Sequence, residues 1–128
     1  ALTDITGFGL AGHALELARG AGCQVQIDWA QVPLLANVRD LAGRGFVTGA
    51  SGRNWTGYGA DVGLPAGFAA VDQALLTDPQ TSGGLLVSCT PAALDAVMSV
   101  FHKHGFESAA VVGQVVAADA GAPRLKVV

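Results

Sequence analysis

The sequence predicts an α/β fold, a sheet covered by helices, and three observations lead there. Segments with helical and strand periodicity alternate along the chain, which is the pattern of layered α/β domains. Its length, 128 residues, suits one domain with a core of its own. No repeat, low-complexity tract or linker divides it.

The elements follow in order. Residues 7–19 have the spacing of an amphipathic helix: Phe8, Leu10, Ala11, Ala14, Leu15 and Ala18 fall on one side, Gly9, Gly12, His13 and Glu16 on the other. Thr6 or Asp4 is placed to cap its start, and Gly20 and Gly22 stop it. Cys23–Asp28 alternates, with Cys23, Val25 and Ile27 on one face, and reads as a half-buried strand. Pro33 is expected to open a short helix ending at Gly43. Residues 44–67 read as a long glycine-rich loop with room for a short helical piece. Ala70–Leu76 is a second short helix and Gly84–Cys89 a strand. Thr90 and Pro91 sit as cap and first position of a helix running to about His104. Ala109–Val116 is a strand, and the turn Asp119–Pro123 brings the chain back into a final strand, Leu125–Val128.

Composition narrows the function classes. Apolar residues make up 51% and charged residues 13% of the chain, against about 25% charged in typical soluble domains. Mean hydropathy is +0.45. No apolar run reaches the ~20 residues that a spanning helix needs, so some apolar surface is expected to pack on a partner; an alanine-rich composition is the plain alternative. The net charge is −3, and the seven Lys and Arg are scattered. They form no basic stripe for nucleic acid. No targeting segment is visible. Cys23 and Cys89 have neither CxxC nor zinc spacing and read as small buried apolar residues of a reducing cytoplasm, with a catalytic thiol as the other reading.

Three strings carry candidate chemistry. Thr3-Asp4-Ile5-Thr6-Gly7-Phe8-Gly9 puts an acid and two hydroxyls just before a helix. Free amides and the helix dipole suit such an end to phosphate, and a carboxylate there suits Mg²⁺; a simple helix cap is the other reading. Asp78-Pro79-Gln80-Thr81-Ser82-Gly83-Gly84 is either an anion-binding loop or a polar turn into a buried strand. Arg53 and Asn54 stand in a glycine-rich middle segment, where Arg53 suits either a phosphate or solvent. His13 is expected to face solvent or an interface. His102 and His104 lie where a helix C-terminus tolerates positive charge. Trp29 and Trp55 read as packing residues.

Taken together, TDITGFGLAGH, GxSxRNW, DPQTSGG and VVGQV occur in an order that resembles the selenophosphate synthetase (selenide, water dikinase) family, from Leu2 to Val115. The resemblance implies a mixed sheet covered by helices, as in the C-terminal domain of aminoimidazole ribonucleotide synthetase-like enzymes. It implies that residues 1–128 form a single C-terminal domain of a longer homodimeric parent. That parent converts ATP, selenide and water to selenophosphate, AMP and phosphate with Mg²⁺. Its N-terminal domain carries most nucleotide contacts, the catalytic lysine and a cysteine or selenocysteine. The chain's start at Ala1, straight into a motif, agrees with an excised piece, which alone is expected to be inactive and to hold no catalytic residue. By motif match, Asp4 is the metal ligand, and Thr6, Gly7 and Gly9 shape the phosphate end. Asp78, Gln80, Thr81, Ser82, Gly83, Gly84, Arg53 and Asn54 match signature positions whose roles stay open. Neither Cys23 nor Cys89 matches the catalytic position. Residues 57–67 depart from the family's more charged loop. Aminoimidazole ribonucleotide synthetase, thiamine-phosphate kinase, the hydrogenase-maturation dehydratase and a non-catalytic assembly module are the competing readings.

Overall fold

The computed structural model describes all residues, 1–128. Six strands run in chain order: β1 (Leu2–Asp4), β2 (Cys23–Ile27), β3 (Val62–Gly63), β4 (Leu85–Val87), β5 (Gly113–Ala117) and β6 (Leu125–Val127). Five helices alternate with them: α1 (Gly9–Ala21), α2 (Val38–Gly43), α3 (Gly49–Tyr58), α4 (Ala70–Leu76) and α5 (Leu94–Lys103). The main sheet has the order β3-β6-β2-β5. β2 runs parallel to β6 and antiparallel to β5, and β6 runs parallel to β3, so the sheet is mixed. β1 and β4 form a separate antiparallel pair with Asp4 opposite Leu85.

Alternation in β2 decides which face is dry. Val25 and Ile27 meet Leu125 and Val127 of β6. Beneath α1 they join Ala11, Ala14, Leu15 and Ala18, with Val62 and Leu76 completing the core. The small alanines let α1 lie close to the sheet. The other face carries amides in a chain: Gln114 Nε2 donates to Gln26 Oε1, Gln26 Nε2 to Gln24 Oε1, and Gln24 Nε2 to the Pro123 carbonyl. A buried polar group needs such a partner, and Gln24 is buried.

Several expectations are corrected. The turn at 119–123 does not make a hairpin, because β6 crosses to the far side of β2. Leu125 and Val127 are the more deeply buried pair and take the central position; β5 holds no buried residue and takes the edge. Ala109–Val112 lie outside β5. Pro33 opens no helix; Trp29–Gln31 form a 3₁₀ turn and α2 starts after Asn37, whose φ is 65°. The span 44–67 contains the three-turn helix α3. α1 starts at Gly9 rather than residue 7 without a side-chain cap, so neither Thr6 nor Asp4 caps it. Thr90 likewise makes no capping bond before the 3₁₀ turn Pro91–Ala93 that leads into α5. Gly9, Gly12 and His13, assigned to the polar face of α1, are buried, because the loops on either side close over them.

Only 19 of the 128 residues are buried, while Leu35 (81%), Phe46 (67%) and Leu2 (62%) are well exposed. The apolar surplus read from composition therefore lies on the surface. No helix is long and apolar enough to cross a membrane.

Candidate functional site

The β1–β4 ladder brings the first two strings together. Beyond Asp4, the Ile5 amide donates to the Gly84 carbonyl at 2.9 Å, and the Gln80 amide to the Thr6 carbonyl at 3.0 Å. Two glycines make this approach possible. A Cβ on Gly83 would sit 1.9 Å from the Ile5 carbonyl oxygen. A Cβ on Gly9, whose φ is +68°, would sit 2.7 Å from the Thr77 carbonyl carbon. The Thr6–Gly9 turn thus rests directly on residues 77–84.

The third string binds both from one side. Asn54 Nδ2 donates to the Gly7 carbonyl (2.9 Å) and to the Thr77 carbonyl (3.0 Å). One turn earlier on α3, Ser51 Oγ donates to the Ala74 carbonyl and lies 2.7 Å from Thr77 Oγ1. One turn later, Tyr58 Oη donates to the Phe8 carbonyl. Burial pushes the Tyr58 phenol up to about 12, a rise that the nearby Gly12 backbone only partly offsets. Thr48 caps α3 through the Ser51 amide and also donates to Asp78 Oδ1 at 3.3 Å. Gln80 Nε2 donates to the Asp78 carbonyl.

His13 is buried, not solvent-facing, and its role is local. The Thr6 amide donates to His13 Nε2 at 3.0 Å, so that nitrogen carries its lone pair and the ring hydrogen belongs on Nδ1. Nδ1 faces Glu16 Oε2 at 3.1 Å, in poor hydrogen-bond geometry.

Some groups at this end remain unspent. The Asp4 carboxylate is exposed and enters no ion pair or hydrogen bond within the chain. The amides of Gly7, Phe8 and Leu10 take no carbonyl of the chain, and the α1 dipole adds partial positive charge there. Phe8 is 54% exposed. Thr81 and Ser82 are exposed. Arg53 is exposed, makes no ion pair, and is not bonded to either string. The structure brings Asp4, Thr6, Gly7, Gly9, Asp78, Gln80, Gly83, Gly84 and Asn54 into one assembly, and it adds Ser51, Tyr58, Thr77 and His13, to which sequence reasoning assigned no part in it. The spacing Ser51, Asn54, Tyr58 was the available signal, since three- and four-residue steps share a helix face.

No group of three or more His, Cys, Asp or Glu is gathered anywhere in the chain. A lone free carboxylate still suits Mg²⁺, which takes one or two carboxylates and completes its shell with phosphate oxygens and water. A cavity of about 610 Å³ elsewhere, lined by Arg19, Asp61 and Arg124, shares no residue with the three strings.

The family described as AIR synthase related protein, C-terminal domain, matches residues 1–126. The chain is 60% identical over 116 residues to the selenide, water dikinase of Burkholderia pseudomallei (strain K96243), covering 91% of the chain and 33% of that protein. It is 55% identical over 125 residues to the protein of the same name from Pseudomonas straminea, covering 98% and 34%. With that of Rhizobium meliloti (strain 1021) the identity is 47% over all 128 residues, or 36% of the relative. The chain spans about one third of the length of these curated relatives.

Proposed function

The chain belongs to the AIR synthase-related C-terminal domain family, and on that premise we propose that it is the C-terminal domain of a selenide, water dikinase and lends the Asp4 end to a Mg²⁺–ATP site. The observation that carries the reading is the free Asp4 carboxylate, exposed at the end of β1 and used by no group of the chain. A fold that builds two loops around this turn and leaves the acid unpaired has an acid to offer.

The reaction releases AMP and phosphate and puts one phosphoryl group on selenide. Of ATP's three phosphates, one goes to selenium, one to water, and one stays in AMP. Phosphoryl transfer is mostly positioning and charge neutralisation. Asp4 would hold Mg²⁺, which supplies neutralisation of phosphate charge. The amides of Gly7, Phe8 and Leu10 orient anionic oxygens. Gly9 and Gly83 allow the backbone to close up behind them, and the loop 78–84 gives the turn a rigid floor. The catalytic lysine, the cysteine or selenocysteine, the remaining metal ligands and most nucleotide contacts come from the N-terminal domain of the parent, a cytoplasmic homodimer in this account. The isolated chain is inactive.

Exposed Leu35 and Phe46 support a second, compatible role as the docking surface of an assembly module.

³¹P NMR of the full-length parent with ATP, Mg²⁺ and selenide under anaerobic conditions tests the proposal. Selenide-dependent AMP with a selenophosphate resonance is expected. ATP left intact by folded, nucleotide-binding protein would move the assignment to another enzyme of the superfamily.

A further inference from the structure

Asn54 uses one nitrogen to hold two loops. Both hydrogens of its Nδ2 are committed, one to the carbonyl of Gly7 and one to that of Thr77. These carbonyls are 70 residues apart in sequence, one inside the first motif and the other directly before the second. Asn54 Oδ1 accepts no hydrogen bond within the chain, so the residue acts here purely as a donor. Its neighbours on the same helix face repeat the pattern. Ser51 holds Thr77 and Ala74, and Tyr58 holds Phe8. α3 contains three glycines in ten residues, Gly49, Gly52 and Gly57, and intrinsic propensity alone disfavours a helix there.

We propose that Asn54 is a positioning residue that locks the Thr6–Gly9 turn and the 77–84 loop into one phosphate-facing surface, with Ser51 and Tyr58 as its outriggers. The identity of the ligand as Mg²⁺–ATP rests on the functional reading above; the clamp itself rests on the hydrogen bonds. An amide is required because two carbonyls face the same point. A carboxylate of the same size presents acceptors to acceptors, and alanine leaves both carbonyls without their donor.

The test uses the full-length parent and amide hydrogen exchange, followed segment by segment, together with steady-state kinetics. Asn54→Asp is expected to speed exchange in both 6–11 and 78–84 by roughly tenfold or more, the scale of losing two net hydrogen bonds. Exchange in 23–27 and 113–117 stays unchanged. KM for Mg²⁺–ATP rises by a similar factor, while kcat falls less. Thr56→Ala, which removes only an outward hydroxyl bonded to Gly52, leaves all of these unchanged. Asn54→Ala serves if the aspartate variant does not fold, and a smaller rise in the same two segments is expected from it. Faster exchange in only one segment, in neither, or in both with KM unaltered overturns the proposal. A parent that forms no AMP in response to selenide overturns the functional reading alone, and the exchange data still decide the clamp.

Discussion

Gly83 and Gly84 are neighbours with opposite tolerances. A Cβ on Gly83 would lie 1.9 Å from the Ile5 carbonyl oxygen and 2.9 Å from Gln80 Cβ, whereas one on Gly84 meets nothing within 4 Å. Neither glycine has a positive φ, so backbone strain does not separate them and only space does. In Gly83→Ala the Ile5 carbonyl must retreat by about 1 Å to reach the closest distance real Cβ atoms keep. Ile5 and Thr6 then move away from Gly84 and Gln80, and the bonds Ile5 N–H to Gly84 and Gln80 N–H to Thr6 stretch or break. Overpacking costs about 1–3 kcal/mol, and each lost hydrogen bond about 1 kcal/mol. The sum, roughly 3–5 kcal/mol, is a large share of the 5–15 kcal/mol that typical domains possess. Thermal unfolding of the chain followed by circular dichroism reads this as a fall in Tm of about 10 °C or more, with Gly84→Ala close to wild type. Equal effects from the two substitutions, or a Gly83→Ala variant melting with wild type, would refute the account of how the strings are joined.

Further outcomes follow from the same geometry. Leu15 is fully buried at the centre of the core, so Leu15→Ala should cost about 2–5 kcal/mol in urea unfolding, and a loss under 1 kcal/mol would show the site collapsing freely. Tyr58 is the chain's only tyrosine, so absorbance near 295 nm should report a phenol titrating at about 12 rather than 10.0. Because the folded value is the raised one, its contribution to stability is complete below pH 10 and is lost as pH rises through about 12. Tyr58→Phe removes that alkaline loss, and a wild-type titration at 10.0 would contradict the burial.

Helices and strands with strong periodicity were legible in the sequence: α1, β2 and α4 lie within a residue or two of where spacing puts them. What sequence periodicity leaves out is partnership. β1 is three residues long and exists only because β4, more than 80 positions away, pairs with it. β6 looks like the return arm of a hairpin, yet its deeper burial places it in mid-sheet. α3 was hidden by its glycines and is sustained by the Thr48 cap and by Ser51, Asn54 and Tyr58 reaching outside the helix. His13 looked polar on a helical wheel, which contains no loop to fold over it; the Thr6 amide that meets it is a tertiary fact. Within the candidate site, the motif strings contain most of the residues, but the two bonds by which Asn54 joins them belong to the tertiary structure.

The central claim is that this domain gives an acid to a metal–nucleotide site, and the metal dependence of Asp4→Asn in the full-length parent tests it most directly. Selenide-dependent AMP formation would be followed across a Mg²⁺ titration, with circular dichroism confirming the fold. Turnover falling by orders of magnitude, or recovering only at much higher Mg²⁺, is the predicted result; near-normal turnover with the wild-type Mg²⁺ dependence would contradict it.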